Sequence, residues 1–169
     1  MNSAWEEYIL IAPLGRVRLR SATNEDGPQV REVVYGVLAE YGLAADPHGT
    51  DSDLWDLEKS YQAPGGLFYV LEEENQEIAG CVGLMLKGDS VAELRKMYLL
   101  PRMRGQGIGR FLLETMLRRA RALSIRRIEL ETSSCLEDAL RMYRWYGFQP
   151  FQADHMAQRA DLALALDLG

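Results

Sequence analysis

The sequence predicts a single α/β domain, and three observations lead there. Apolar residues recur with a period near two in some stretches and near 3.6 in others, and the two kinds alternate along the chain. A glycine-rich turn, Arg104-Gly105-Gln106-Gly107-Ile108-Gly109, follows a strand-like run and opens an amphipathic helix. The 169 residues contain neither repeats nor low-complexity linkers, and that length suffices for one proper core.

Taken in order, Val17 to Arg20 reads as a strand, and Asn24 starts a helix that runs to about Glu40. Tyr41 to Thr50, with Gly42, Pro47 and Gly49, reads as a loop. Asp51 to Tyr61 reads as a second short helix capped by Thr50 or Asp51. Leu67 to Leu71 and Ile78 to Leu86 are apolar strands joined as a hairpin through Asn75-Gln76, and Val91 to Leu100 is the next strand. Ile108 to Leu123 is a helix with Ile108, Leu112, Met116, Ala120 and Leu123 along one stripe. Arg127 to Thr132 is a strand, and Glu137 to Tyr146 is a helix stopped by Gly147. Phe148 to Gln152 and Asp161 to Leu168 form a last hairpin. The first fourteen residues lie outside this pattern, so 1–15 is set apart as an N-terminal extension and 16–169 as the domain.

Composition narrows the class. A hydrophobic content of 47% with 26% charged residues is that of an ordinary soluble protein. Cys81 and Cys135 lie far apart without metal-ligand or Cys-x-x-Cys spacing, so no metal site or disulfide framework is expected and a reducing cytoplasm is the simplest home. Glu6 and Glu7 precede only a short apolar run, unlike a signal peptide, and no segment is long enough to span a membrane. The net charge of −6 is unevenly spread. Residues 37–77 carry ten acids, opposed by Lys59 alone, whereas residues 87–127 carry eleven Lys and Arg against Asp89, Glu93 and Glu114. A basic half suits an anionic cosubstrate and an acidic half a cationic amine, although for most of these side chains a solvated face is the better reading. Nucleic acid is not an expected partner, because the whole chain is acidic and its basic residues flank the glycine turn.

Glycines at alternate positions allow a tight turn with amide hydrogens pointing inward, and a helix N-terminus adds roughly half a positive charge at the same place. Together they make a phosphate cradle. It is not a dinucleotide fingerprint, because position 110 is Arg where Gly-x-Gly-x-x-Gly needs glycine. Nor is it a P-loop, because no Gly-Lys-Ser/Thr follows.

The remaining pattern, with Ala92-Glu93-Leu94-Arg95-Lys96-Met97-Tyr98-Leu99-Leu100-Pro101 before the turn, resembles the GNAT superfamily of acetyl-CoA-dependent N-acetyltransferases. A second motif, Ala139-Leu140-Arg141-Met142-Tyr143-Arg144-Trp145-Tyr146-Gly147-Phe148, follows in the right order. The resemblance implies a mixed, mostly antiparallel central sheet of six to seven strands flanked by about four helices, with a splayed parallel pair in the middle. It implies direct attack of an amine on the acetyl thioester in a ternary complex, with acetyl-CoA as cosubstrate and a small-molecule or peptide amine as acceptor. Many relatives pair, so a homodimer is compatible with it.

Mapped onto this chain, the resemblance assigns the pantetheine arm and the thioester carbonyl to backbone groups of Met97, Tyr98 and Leu99. It assigns the pyrophosphate to Arg104, Gly105, Gln106, Gly107, Ile108 and Gly109, leaving open whether Arg104 pairs with phosphate or supports the turn. Tyr143 stands where many members keep a tyrosine that protonates the departing thiolate. Leu136, Ala139, Tyr143 and Tyr146 also share a helical face, so a packing role competes. Glu93, eleven residues before Arg104, is the candidate general base, and an outward glutamate on an ordinary strand is the plain alternative.

Two departures stand out. Leu136 replaces a common asparagine that touches the cosubstrate arm, and Met142 replaces a common leucine. Tyr35, Tyr41, Trp55 and Tyr61 are candidate walls for an acceptor pocket, with core packing the alternative, and Asp53 is a candidate for recognising a cation. His48 and His155 read as surface residues. The rival function is a catalytically silent acyl-CoA-binding module, against which the presence of Glu93 and Tyr143 argues.

Overall fold

The structure, a computed structural model, describes residues 6–11 and 15–169. Eight strands form one sheet among those residues: β1 (Glu6–Ile11), β2 (Gly15–Ser21), β3 (Leu67–Glu73), β4 (Ile78–Gly88), β5 (Val91–Leu99), β6 (Arg127–Thr132), β7 (Gln149–Pro150) and β8 (Leu162–Asp167). Their order across the sheet is β1-β2-β3-β4-β5-β6-β8-β7. Every neighbouring pair is antiparallel except β5 and β6. The mixed, mostly antiparallel α/β architecture expected from the sequence is therefore present. The segment set apart as an extension supplies β1, which pairs with β2 from Glu6↔Arg20 to Ile11↔Gly15.

Among the described residues three α-helices cover the sheet: α1 (Gly27–Glu40), α2 (Ile108–Ala122) and α3 (Glu137–Trp145). Two apolar clusters follow from this layering. Leu112, Leu113, Met116, Leu140 and Phe148 join Leu19, Tyr69, Leu71, Leu84 and Leu94 in one. Val30, Val33, Val34 and Leu38 join Phe68, Val70, Ile78 and Cys81 in the other. Strand β3 feeds both, Tyr69 and Leu71 into the first and Phe68 and Val70 into the second. That explains why it reads as a continuous apolar run rather than an alternation. No helix among the described residues is long and apolar enough to cross a membrane.

Two segments differ from their sequence reading, each for a visible reason. The helix expected from Asn24 starts as a 3-10 turn over Asn24–Asp26, and α1 proper begins at Gly27 with a proline in its first turn. Asp26 is drawn aside there by Arg20, whose guanidinium donates to both its oxygens at 2.8 Å. The helix expected over Asp51–Tyr61 breaks into a 3-10 turn, Ser52–Trp55, and a single π turn, Glu58–Gln62. The break falls at extended Asp56, while Asp51 and Asp53 turn inward to buried cations instead of lying on a helix face.

Candidate functional site

Strands β5 and β6 run side by side for only three residues, Val91↔Arg127, Ala92↔Ile128 and Glu93↔Glu129. Beyond Glu93 they part, and β6 continues with β8 as its partner. Between them opens a cleft of about 510 Å³. Its walls are β5 from Glu93 to Leu99, β6 from Leu130 to Thr132, the turn at Arg104, Gly105 and Gly109, and the α3 face bearing Leu136, Ala139, Met142 and Tyr143. Glu93 thus stands where the strands separate, Tyr143 lies on the same cleft, and the glycine turn sits at its rim.

Strand β5 is irregular on its other side as well. Its pairing with β4 runs Gly80↔Leu99 and Cys81↔Tyr98, then steps to Gly83↔Arg95, so Lys96 and Met97 together face Val82. This is a β-bulge, and its left-handed residue is Lys96, at φ 53°. A non-glycine residue held there costs on the order of 1–3 kcal/mol and persists only where its surroundings enforce it. The Cys81 thiol donates to the Lys96 carbonyl at 3.1 Å. In a trans peptide the carbonyl and the following N–H point in opposite directions, so the Met97 N–H points away from the Cys81 thiol, and Met97 lines the cleft.

The enforcement comes from a knot of buried charges. The Lys96 side chain is 3% exposed, with Nζ 2.8 Å from Asp51 Oδ1 and 3.3 Å from Asp53 Oδ1, and it donates to the Thr50 carbonyl at 3.0 Å. Asp51 is fully buried and also receives both Arg159 nitrogens at 2.7 Å and the Asp46 amide at 2.9 Å. Burial alone would favour its neutral form, yet the Arg159 hydrogen bonds, the Asp46 amide and Lys96 hold its carboxyl well below the usual range. Asp53 accepts from the Tyr61 hydroxyl and lies 3.6 Å from Arg95 Nε. The cation recognised by Asp53 is therefore the protein's own.

The glycine turn is built differently. Gly105 and Gly107 have φ of 75° and 81°, a conformation that side chains rarely adopt. A Cβ at either would meet nothing within 4 Å, so the requirement is one of backbone, not of space. The α2 ladder begins with the Phe111 amide on the Gly107 carbonyl at 3.0 Å, leaving the amides ahead of it outside the ladder, as at any helix start. Cations around the turn already have partners. Arg104 donates to the Leu99 carbonyl at 3.0 Å and to Glu40 at 2.8 Å, Arg102 pairs with Glu73, and Arg110 with Glu114. Arg104 thus braces the turn against β5 and α1, so the cradle's attraction for an anion rests on backbone dipoles. Leu94, Met97, Leu99, Leu136, Ala139 and Met142 make the adjoining wall apolar, as a pantetheine chain requires. These residues fit a phosphate-tailed thioester.

Protonation states suit acid–base work. Glu93 is half-buried, and its pKa is raised by burial, with Glu131 adding and Arg95 opposing. Tyr143 is buried, packs on Phe148 at 5.6 Å between ring centres, and is pushed above the ordinary phenol value by burial and by Tyr98. Tyr98 itself is pushed up to about 12, mainly by burial. An adjoining cavity of about 590 Å³, lined by Glu129, Phe151, Asp154 and His155, meets the first at Glu93, Leu130 and Glu131.

Of the four aromatic candidates, only Tyr41 lines the cleft. Tyr61 is core, edge-on to Phe68 at 4.8 Å. Trp55 is exposed, binds the Pro47 carbonyl and carries Arg31 over its ring, and Tyr35 lies against the α1 cluster. His48 and His155 are exposed. The sequence reading missed Lys96, Asp51, Arg95 and Arg159. One signal was available for Lys96, which follows Ala92 and Leu94 on the inward positions of β5, where a charge is unexpected. Among the described residues no group of three or more His, Cys, Asp or Glu is arranged to hold a metal, and both cysteines are free.

A sheet parted at a bulged parallel strand, with a glycine turn and helix at its mouth, defines an acyltransferase-type α/β fold. The family model for the acetyltransferase (GNAT) family matches residues 33–148. The chain belongs to that family of N-acetyltransferases. It is 36% identical over 143 residues to the uncharacterized N-acetyltransferase YjgM of Escherichia coli K12, covering 82% of this chain and 85% of that one. The crystal structure of a GNAT-family acetyltransferase from Staphylococcus aureus Mu50 superposes with a TM-score of 0.84 at 20% identity, over 90% of this chain and 99% of that one. A phosphinothricin acetyltransferase from Sinorhizobium meliloti, crystallised with AcCoA, superposes with a TM-score of 0.69 at 18% identity, over 89% and 88%. At such identities the two structures speak for the fold alone.

Proposed function

We propose that the protein transfers an acetyl group from acetyl-CoA to a primary amine by direct attack within a ternary complex. One observation carries this reading: Glu93, the Met97 backbone, Tyr143 and the glycine turn all border a single cleft that opens where β5 leaves β6. Acetyl-CoA supplies an activated acyl carbon and a thiolate leaving group. The amides of Gly105 to Gly109 would hold its pyrophosphate, and the apolar wall from Leu94 to Met142 its arm. The Met97 amide would donate to the thioester oxygen, where negative charge grows as the amine adds.

An amine must be neutral to attack, and Glu93 accepts its proton directly or through water, a task helped by a raised pKa. As the new C–N bond forms and the C–S bond breaks, Tyr143 donates its phenolic proton to sulfur, and the proton shed by the acetylated nitrogen returns through solvent to the phenolate. A phenol is protonated at neutral pH, as a donor must be, and burial raises its pKa further. The acceptor reaches the acyl carbon from the side where the second cavity meets the cleft at Glu93 and Glu131.

The test is a calorimetric titration with acetyl-CoA beside ATP and NAD, followed by a panel of amines scored by thiol release. Selective one-to-one binding with turnover on an amine is the expected result. Binding with no turnover on any amine would favour a silent acyl-CoA sensor, and no binding by the folded protein would overturn the proposal.

A further inference from the structure

We propose that Lys96 is a positioning residue: its buried ammonium, tied to Asp51 and through it to Arg159, holds the β5 bulge so that the Met97 amide faces the thioester oxygen. This inference rests on the acetyl-transfer reading above and adds a component to it.

The left-handed position of such a bulge is normally glycine, because a side chain opposes that backbone. Here a lysine occupies it, its ammonium ion-paired with Asp51 at 2.8 Å and Asp53 at 3.3 Å and donating to the Thr50 carbonyl at 3.0 Å. The side chain therefore acts as a guy-rope on its own peptide. Its anchor does not drift, because Asp51 is bonded twice to Arg159 and once to the Asp46 amide, joining the 44–51 loop to the 151–161 loop. The opposite end of the same peptide is pinned by the Cys81 thiol on the Lys96 carbonyl. With the side chain and the carbonyl of residue 96 both restrained, the following N–H has one direction left to point. A donor works as an oxyanion stabiliser only when it is aimed before charge develops, and a pair of ions excluded from water is a stiff way to aim it.

A fold-stabilising role for the same ions would leave the thioester carbonyl unaffected in whatever protein remains folded. The discriminating measurement is the carbonyl stretch of bound [1-13C]acetyl-CoA by isotope-edited infrared difference spectroscopy, with acetyl-CoA affinity measured by calorimetry and folding by thermal melting. Wild type should lower the stretch relative to free acetyl-CoA. Lys96→Met, which keeps the stem, and Lys96→Gly, which accepts the backbone angle but cuts the rope, should both return the band most of the way to its free value. Affinity should stay within about threefold, since the arm and pyrophosphate contacts remain, while turnover falls about tenfold or more. Should the Lys96 variants fail to fold, Arg159→Met loosens Asp51 and gives up its contact with the Tyr98 hydroxyl while leaving Lys96 in place, and should move the band in the same direction by less. A wild-type band that persists in the folded variants, with turnover unchanged, overturns the role of Lys96 and leaves the acetyl-transfer reading standing. Failure of the wild type to bind acetyl-CoA overturns both.

Discussion

The cleft has two halves built on opposite principles. At the glycine turn the chain presents bare backbone: Gly105 and Gly107 bend it, and the nearby arginines are occupied by Leu99, Glu40, Glu73 and Glu114. At the bulge it presents side chains, with Lys96, Asp51 and Arg159 brought together from positions up to 108 residues apart. The first half presents a geometry that a short local motif can encode. The second depends on long-range ion pairs whose members lose more if separated than they gain by being together. Damage to the two halves should therefore look different.

The largest effect is expected from Asp51→Asn, which leaves Lys96 and Arg159 buried beside a neutral amide. Breaking a buried ionic network in this way costs about 3–5 kcal/mol, read by denaturant unfolding. The pH dependence sharpens the point. Because the Asp51 carboxyl is held below its ordinary value, its contribution is present above the unfolded pKa of 3.8 and is lost as pH falls, a loss the variant should not show. No change in stability would mean that the knot is not what holds this half.

Glu93→Gln should lower turnover at neutral pH by about a hundredfold and remove the acidic limb of the pH–rate profile. Its effect on folding runs the other way. A carboxyl whose pKa is raised stabilises the fold fully below 4.5 and loses that contribution as pH rises through its folded pKa, so the amide should melt slightly higher at pH 7. A profile identical to wild type would remove Glu93 as the base.

Tyr143→Phe should reduce turnover at least about tenfold with little change in acetyl-CoA affinity, because the hydroxyl acts only as sulfur departs. Equal turnover would reduce Tyr143 to the packing role it shares with Phe148. Smallest is Gly107→Ala. Its methyl meets open space, so the only cost is the left-handed backbone, about 1–2 kcal/mol. It should appear as roughly five- to thirtyfold weaker acetyl-CoA binding, with turnover of the bound complex preserved. An alanine variant that lost turnover but kept affinity would erase the distinction between the two halves.

The same contrast explains what could be read in the sequence. Strands β3 to β6 and helices α2 and α3 came from local periodicity, and the glycine turn from six consecutive residues. The parting of β5 from β6 followed from family resemblance. The segment after Thr50 was misread because its helical spacing was real but overridden: Asp51 and Asp53 are taken by Lys96, Arg95 and Arg159, and nothing near residue 51 announces partners that distant. Tyr61 was eligible for a pocket wall by type and position, yet its hydroxyl is spent on Asp53 inside the core.

The bulge also inverts the parity of its strand. Ahead of it the even-numbered Ala92 and Leu94 enter the cluster under α2 and α3, whereas beyond it the odd-numbered Met97 and Leu99 do so and Tyr98 turns to the α1 side. Removing a single residue here would not merely shorten β5. It would erase the bulge and restore strict alternation, leaving Met97, Tyr98 and Leu99 on the faces they now occupy but taking away the left-handed peptide at Lys96. In surface loops the same deletion changes only a length, whereas between Leu94 and Tyr98 it would exchange a kinked strand for a straight one.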